Sequence, residues 1–562
     1  MKTMFKPLGL AAAVAAVTAG YSGVAGAQER AVGNLGDLAI VPYYTVQGDW
    51  VTGVHIINTS DRTQVVKLRL RRGSDSADAM DFNLIMSPYD EWTGFLADEG
   101  EDIVWTTTDN TCAAKFEESG RYVMPDIFRD GAEEGYIEVI GMGAPIDEDQ
   151  PIAVAAKHDE EGVPFSCASI ETSFESAGSF ADPGVASSST SYQGVLDVED
   201  YDSPGYDVSD TANCTGDEGS QICLNTFKDG GDALKVSYFF RDSQAGTEMG
   251  GNAVHIAGFS PDEPWISNQK TGLLSGDTNG FDYPDLNGGV LGYGDTRGLF
   301  NALRDPALLG VASVINDWSV NAALNVSTDW VVTLPGQYTM VDYVVAANFG
   351  IGNCGRLNDP TTAIDDGIPL CDFRDLPVTA TARVTDREEG ELVVDDGGLV
   401  ISPAPPGQAS SVRFENEVNI IEWGGDSSEP VLGSEYVVSG IDPLGNFGWA
   451  SLSVQPTTKR FTGGTAGLDV SATGQGVCEY VPVPTDAAIR WPLTGSATGT
   501  WANPSSAMRT DFPFAPTTAN SRVCEAATGR VPMIGFVAWQ RSFPSVPGSN
   551  YGRLIEHSFS SN

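Results

Sequence analysis

Basic side chains are scarce in this sequence. Lysine and arginine together number 31, against 76 aspartates and glutamates, so the formal net charge is -45 at pH 7. A field of that sign repels phosphate backbones and anionic lipid headgroups. We therefore expect no nucleic-acid partner. The acidity itself suits solubility in salty surroundings or, as the alternative, a calcium-binding surface.

Long apolar runs are also missing, and the run near the N-terminus is too short for a membrane span of about 20 residues. Lys2 and Lys6 precede the apolar residues 8–17, and the small residues 25–27 are typical of a signal-peptidase site. Residues 1–27 are therefore predicted to be a signal peptide, with no transmembrane anchor left after cleavage. We expect the protein at the cell surface or outside the cell, with the periplasm as the alternative.

Catalytic motifs are missing as well. The histidines, His55, His158, His255 and His557, lie in no HExxH or HxH pattern, whereas a catalytic zinc needs three protein ligands. The chain after the signal has no GxSxG nucleophile elbow. Residues 350–355 match GxGxxG, but turn residues follow them where a dinucleotide site needs a helix. We predict no enzyme activity and no cofactor, with calcium as the one candidate ligand.

The eight cysteines form no CxxC pair, which argues against a zinc knuckle. An even number of cysteines in an exported chain indicates disulfide bonds. The simplest pairing joins neighbours along the chain, because each bridge then stays local, although spacing alone does not establish connectivity. The pairs in this scheme are Cys112–Cys167, Cys214–Cys223, Cys354–Cys371 and Cys478–Cys524.

Period-two alternation predicts strands along much of the chain. In residues 64–72, for example, apolar residues alternate with Lys67, Arg69 and Arg71, as expected of a strand with one buried face. Short strands separated by turns, without intervening helices, predict a mostly β fold that begins with an Ig-like β-sandwich. Residues 296–325 are the best helical candidate, as two short helices on either side of a proline.

Composition divides the chain after the signal peptide. Residues 28–170 are predicted to form the N-terminal sandwich domain. Residues 171–220 are rich in Ser and Gly and then acidic, which is typical of a linker or surface insertion. Residues 221–562 are predicted to form a larger β-rich region. The Pro-rich residues 402–407 are a candidate connector between two subdomains of that region.

The stretch from 277 to 288 is the candidate metal site. Calcium takes six to eight oxygen ligands, and closely spaced Asp and Asn residues with Gly turns provide them. The segment begins like an EF-hand loop, but Gly288 stands where the bidentate Glu is required, so an EF-hand is rejected. An irregular calcium loop and a solvated acidic loop remain the two interpretations. The candidate ligands are Asp277, Asn279, Asp282, Asp285 and Asn287.

Several blocks together resemble a known family. They are PYYTV at 42–46, INTSD at 57–61, DFNLIMSPYDEW at 81–92, GYIEVIGMG at 135–143, STDWVVTLP at 327–335, TDREEGE at 385–391 and PMIGFVAW at 532–539. In sequence and order they are similar to exported proteobacterial proteins usually labelled hypothetical or cell-surface protein. The resemblance covers most of the mature chain, but not the acidic insertion or the Asp-rich stretch after 275. The resemblance implies an exported β-rich protein, but it assigns no catalytic or binding role to any residue.

These observations favour a non-catalytic exported surface or matrix protein that acts by structural association or adhesion, modulated by calcium. Self-association through strand edges or binding to surface polymers would supply its partners. The alternative is a secreted carbohydrate-binding or carbohydrate-degrading protein, with Trp50, Trp92 and Trp105 as stacking platforms and a pair of carboxylates as catalysts. Grouped exposed tryptophans beside two facing carboxylates would favour that alternative. The adjacent Glu388 and Glu389 are predicted to be solvated turn residues.

Overall fold

The computed structural model describes just over half of the chain, in segments separated by gaps. The described segments, apart from a few residues inside them, are 29–74, 78–168, 225–259, 307–335, 378–394, 412–424, 430–456 and 531–560, with short strands at 191–192, 214–215, 222–223, 355–356, 369–370, 458–462, 468–471 and 521–524. The signal peptide, the calcium loop 277–288 and the connector 402–407 lie outside the described residues. So do Cys354, Cys371 and Cys478.

The fold is mostly β, as predicted. The first strands in chain order are β1 (Glu29–Arg30), β2 (Leu38–Thr45), β3 (Trp50–Asn58), β4 (Gln64–Arg72), β5 (Asp78–Met86), β6 (Glu91–Asp98), β7 (Ile103–Thr106), β8 (Cys112–Ala113), β9 (Arg121–Val123), β10 (Glu134–Pro145), β11 (Ser191–Tyr192), β12 (Cys214–Thr215), β13 (Ile222–Cys223), β14 (Asn225–Lys228), β15 (Leu234–Asp242), β16 (Thr247–Asn252) and β17 (Val254–Ala257). Among them, β4 is the strand predicted from the alternation in residues 64–72.

The second half of the chain continues the pattern. Its strands are β18 (Gly310–Val311), β19 (Ser313–Ser319), β20 (Val326–Thr333), β21 (Gly355–Arg356), β22 (Pro369–Leu370), β23 (Val378–Asp386), β24 (Glu391–Val394), β25 (Val412–Phe414), β26 (Val418–Trp423), β27 (Val437–Ile441), β28 (Phe447–Pro456), β29 (Thr458–Thr462), β30 (Leu468–Ser471), β31 (Ser521–Cys524), β32 (Val531–Pro532), β33 (Ile534–Arg541), β34 (Tyr551–Glu556) and β35 (Ser558–Ser560).

Helices are short in the part of the chain that the structure describes. They are α1 (Asp126–Arg129) and α2 (Pro151–Ala156), and Ala322–Leu324 forms a 3-10 turn. The helical prediction for 296–325 is wrong over 310–319, where β18 and β19 lie instead. Val314 and Trp318 point into the core while Ile315 and Asp317 are exposed, which is the period-two pattern of a strand.

Two antiparallel sheets pack face to face in the N-terminal part. The first has the order β1-β17-β2-β10-β4-β5-β8, with β14 also paired to β10, and the second has the order β16-β15-β3-β6-β7-β9. Strands β15 to β17 were assigned from sequence to the C-terminal region, yet they complete both N-terminal sheets. The sandwich expected over 28–170 thus extends to 257. These strand orders do not confirm the Ig-like topology.

Two further sheets form the C-terminal part. One has the order β24-β23-β28-β19-β35, with β25 also paired to β23, and the other has the order β27-β26-β20-β33-β34. We call the second of these the shared sheet, because its residues contribute to two hydrophobic cores. Trp330 and Val332 pack with the first C-terminal sheet, whereas Val331 belongs to the core of the N-terminal sandwich. Successive residues of one strand therefore join the two halves of the molecule.

Strand β4 corrects the expectation of one buried face. Lys67, Arg69 and Arg71 are fully buried, although they alternate with the apolar residues. Lys67 Nζ lies 3.2 Å and Arg69 Nη2 3.3 Å from the same oxygen of Asp81, while Arg71 Nε lies 3.3 Å from Glu138 Oε2. Because neighbouring strands provide the carboxylates, the sheet buries charge on this face.

The first predicted disulfide is confirmed. Cys112 and Cys167 are bonded, with their Cα atoms 5.1 Å apart. Cys214 and Cys223 are cross-strand partners in the β12–β13 register. This agrees with the predicted pairing of cysteines that follow each other along the chain. No helix within the described segments is long and apolar enough to cross a membrane.

Candidate functional site

A groove of about 540 Å³ lies where the N-terminal sandwich meets the edge of the shared sheet. Its floor is the outer face of β3, β6, β15 and β16, and its wall is β34. The volume falls in the range of small-molecule sites, about 300–1,000 Å³. We call it the junction groove. Its lining residues are His55, Phe95, Phe239, Arg241, Glu248, Met249, Gly250, Gly552, Arg553 and Leu554.

The floor of the groove alternates aromatic residues and glycines across four strands. The register places Phe95, Gly53, Phe239 and Gly250 side by side on β6, β3, β15 and β16. A Cβ atom at Gly53 would lie 2.2 Å from the Phe239 ring, so the ring lies directly over the glycine backbone. The Phe95 and Phe239 centroids are 5.9 Å apart. Because the glycines carry no side chain, the rings lie low and the space above them stays open.

Arg241 is held firmly at one side of the floor. Its guanidinium carbon lies 5.0 Å from the centroid of Phe239, and its Nε donates to Glu248 Oε2 at 2.6 Å. Stacking on an aromatic ring is a typical arginine contact. The arginine side chain keeps 47% of its surface exposed, so its terminal nitrogens face solvent beside the aromatic floor.

The histidine of the floor has polar neighbours. The His55 ring is 5.6 Å from that of Phe239, and its Nδ1 lies 2.8 Å from Thr93 Oγ1 and 3.6 Å from Glu91 Oε1. Within the described residues no group of three or more His, Cys, Asp or Glu side chains is arranged to hold a metal ion. His55 therefore contributes a polar, partly exposed ring to the floor.

Strand β34 carries a second stacked arginine on the face turned away from the floor, since its neighbours Gly552 and Leu554 are the residues that contact the floor strands. The guanidinium carbon of Arg553 lies 4.9 Å from the ring of Trp539, its partner across the β33–β34 register. Its nearest carboxylate is that of Asp317, at 3.9 Å. Gln540 Nε2 donates to Thr247 Oγ1 at 3.0 Å, which fixes the wall against the floor strands.

The other predicted site residues lie elsewhere. Trp92 and Trp105 are fully buried and Trp50 nearly so, which corrects their interpretation as sugar platforms. Trp92 and Trp105 pack against Phe82 instead. Glu388 and Glu389 are exposed turn residues, as predicted. Because all five calcium-loop candidates lie outside the described residues, that interpretation stays a prediction.

Two histidines are structural. His255 accepts a hydrogen bond from the Val236 N–H through Nε2 and lies with Nδ1 2.9 Å from the Ala253 carbonyl. His557 lies with Nε2 3.0 Å from the Val331 carbonyl. Burial lowers the pKa of His255 to about 4 and that of His557 to about 3. Both rings are therefore neutral at pH 7.

Buried carboxyl groups hold the segment 430–436, the clamp segment, between the two halves. Glu134 accepts hydrogen bonds from the Tyr43 hydroxyl at 2.7 Å and from the Glu435 N–H at 2.6 Å. Asp329, on the shared sheet, accepts a hydrogen bond from the Val431 N–H. Burial is the main cause that raises the pKa of Asp329 to about 8, and it also raises that of Glu134. These carboxyls bind backbone and lie away from the groove.

Sequence analysis missed the groove because its residues come from distant parts of the chain. Nothing in the sequence of residues 51–58 or 234–240 shows that these segments are neighbours. One local signal was available, since GG at 250–251 interrupts an otherwise alternating strand. A glycine inside a strand marks a bulge or a close approach of other groups.

Comparisons with family models, curated proteins and solved structures found no match. The family suggested by the sequence blocks therefore stays an expectation. The proposal of a function depends on the geometry of the groove.

Proposed function

We propose that the protein is an exported, non-catalytic surface or matrix protein that acts by adhesion, and that the junction groove contacts its partner. The observation that carries the proposal is the open floor of Phe95 and Phe239 beside the stacked Arg241. Aromatic surface with a few oriented polar groups is typical of ligand sites. Export and the surface location rest on the N-terminal signal sequence.

The groove supports binding better than catalysis. Hydrolysis of a glycosidic bond uses two carboxyl groups that flank the bond. Glu248 is the one carboxylate among the lining residues, and it is already bonded to Arg241. Asp329 and Glu422 lie opposite each other on neighbouring strands, but both are buried under the clamp segment. The carbohydrate-degrading alternative therefore has less support than carbohydrate binding.

Calcium modulation and self-association remain part of the proposal. Their support is the net charge of -45, since a cation would reduce repulsion between acidic surfaces. Isothermal titration of the purified protein with calcium tests the first of them. An absence of heat would remove calcium from the account.

Location and adhesion are tested together on producing cells. We expect protease shaving of intact cells to remove the protein, and we expect purified protein to bind shaved cells. Phe95→Ala should weaken that binding at least fivefold, because it removes half of the aromatic floor. The control Tyr89→Asn removes an exposed ring from a turn whose φ of 59° asparagine tolerates. Full protection from protease, or equal binding by both variants, would contradict the proposal.

A further inference from the structure

We infer that the edge where the two C-terminal sheets meet binds a neutral polysaccharide, through aromatic rings on either side of Asp317 and Arg553. We call this surface the aromatic rim, and its rings are those of Trp449, Trp539 and Tyr551. Strands β19, β28, β33 and β34 bring the five residues together. The rim uses the face of β34 that is turned away from the junction groove, so this inference goes beyond the proposed function.

Trp449 forms one side of the rim. It is the one exposed tryptophan among the described residues, with 43% of its surface accessible. In the β19–β28 register it lies directly opposite Asp317, so the two side chains leave the sheet on the same face with their Cβ atoms about 5 Å apart. This face is turned away from the core, because the neighbouring Trp318 and Ala450 point inward. The indole ring is therefore available to a partner, beside an exposed carboxylate.

Trp539 and Tyr551 form the other side of the rim. Their ring centroids are 5.5 Å apart, and the guanidinium carbon of Arg553 lies 4.9 Å from the Trp539 ring. Trp539 Nε1 donates to Ser319 Oγ at 2.6 Å, which fixes the indole against the C-terminal core. Tyr551 keeps 47% of its surface exposed. The rim thus presents aromatic surface that is ordered before a partner arrives, which lowers the entropy cost of binding.

Asp317 and Arg553 provide polar groups between the rings. Asp317 Oδ2 and Arg553 Nη2 are 3.9 Å apart, too far for a hydrogen bond, and both side chains are more than half exposed. Neither side chain makes a hydrogen bond to a residue within the described segments. Because the carboxylate accepts hydrogen bonds and the guanidinium donates them, the pair offers both roles to one ligand.

This combination of groups suits a neutral sugar. A pyranose ring has apolar C–H faces that pack on aromatic rings, and each of its hydroxyl groups can donate and accept a hydrogen bond. The charges of Asp317 and Arg553 cancel at the centre of the rim. Arg541, the partner of Tyr551 across the β33–β34 register, adds one positive charge at the far end. The field of a chain with a net charge of -45 outweighs that charge and repels an anionic polymer.

Affinity electrophoresis of the full exported chain tests this inference. A strongly acidic protein moves readily through a native gel, and it is retarded when the gel contains a polymer that it binds. The probes are a soluble glucan, a soluble mannan and a soluble galactan, with alginate as the hexuronic acid comparison and EDTA in every gel. We expect at least one neutral polymer to bind with an apparent affinity at least tenfold above that of alginate.

Single substitutions then locate the bound polymer. We expect Trp449→Ala and Tyr551→Ala each to weaken the apparent affinity at least fivefold, because each removes an aromatic contact. Asp317→Ala should weaken it about tenfold, because the acceptor oxygens are lost. The matched control is Tyr89→Asn, which removes an exposed ring from the N-terminal part and should bind like the wild type. Circular dichroism confirms that each variant is folded.

The outcomes separate this inference from the proposed function. No retardation in any neutral gel, equal retardation by alginate, or full retardation of all three rim variants would overturn the assignment. Retardation that depends on Phe95 instead would place the sugar in the junction groove, so this inference would fail while the proposed function stands. Adhesion that is independent of Phe95, with retardation lost in the rim variants, would support the rim and overturn the proposed role of the groove.

Discussion

Gly53 is the residue that most directly determines the shape of the groove floor. Both of its cross-strand neighbours, Phe95 and Phe239, are aromatic, and the Phe239 ring occupies the space of a side chain at position 53. Aromatic residues beside a strand glycine compensate for the packing that it lacks. The same arrangement therefore stabilises the sheet and creates the open surface.

We predict that Gly53→Ala is destabilising. The new methyl group would have to displace the ring, and overpacking of this kind costs about 1–3 kcal/mol. Urea unfolding measures the change in the free energy of unfolding. The control is Gly33→Ala, because a Cβ there meets nothing within 4 Å. Equal stability of the two variants would show that the ring is not held against the glycine.

Asp329 gives a prediction about pH. Its pKa is raised from 3.8 to about 8, chiefly by burial. A raised pKa means that the folded state binds the proton more tightly than the unfolded state does. The stabilisation that this proton provides is therefore complete below about pH 4 and is lost as the pH rises through 8. An asparagine side chain in its place would not titrate. We expect Asp329→Asn to gain stability relative to wild type between pH 4 and 9, by up to about 5 kcal/mol.

Unfolding curves of Asp329→Asn and of wild type at several pH values measure this difference directly. The matched control is Asp61→Asn, the same substitution on an exposed turn. A constant difference between wild type and Asp329→Asn across the range would contradict a buried protonated carboxyl.

At the scale of elements, local alternation predicted strands well and pairing poorly. Residues 64–72 were assigned to a strand correctly because apolar and basic residues alternate there. Strand β19 was missed because its alternation includes Asn316 and Asp317, which reduce the apolar signal. The return of β15 to β17 into the N-terminal sheets is a long-range pairing, and no local pattern encodes it.

The disulfide between Cys112 and Cys167 is a covalent link within the N-terminal sandwich, and its contribution to stability can be measured. It closes a loop with a sequence separation of 55. Loop-closure entropy predicts a contribution of about 4 kcal/mol. We expect the double variant Cys112→Ala, Cys167→Ala to lower the urea midpoint of this part accordingly. An unchanged midpoint would contradict a structural role for the bond.

At the scale of the whole molecule, the two halves form a continuous structure through the shared sheet. Val331 and Trp330 are neighbours in sequence but belong to different cores. His557 lies at the same place, between β34 and β35, where the chain passes from one C-terminal sheet to the other. We therefore expect groups buried there to affect the stability of both halves.

The buried histidines predict how the molecule responds to acid. Because burial lowers the pKa of His255 to about 4 and of His557 to about 3, protonation is favoured in the unfolded chain. The contribution of the two neutral histidines to the free energy of unfolding is complete above about pH 6.5 and is lost as the pH falls through 4 and 3. Proton NMR should show both rings unchanged down to about pH 5. A ring of either residue that titrates near 6.5 in the folded protein would contradict this account.

The fold class could be predicted from sequence, whereas the candidate site could not. Strand periodicity is local, so a β-rich fold and one disulfide followed from short segments. The groove requires Phe95, Phe239 and Leu554 to come together, and these residues lie in distant parts of the chain. The buried Trp92 and Trp105 show the same limit of sequence analysis. The sequence does not distinguish a tryptophan that packs in a core from one that faces a ligand.

The central claim is that the junction groove contacts the partner. Covalent footprinting of the protein with and without surface polymers from the producing cells tests it most directly. The account predicts protection of Phe95, Phe239 and Arg241 on binding, with no change at the exposed Tyr89. Protection confined to surfaces outside the groove, with Phe95 and Phe239 still labelled, would contradict it.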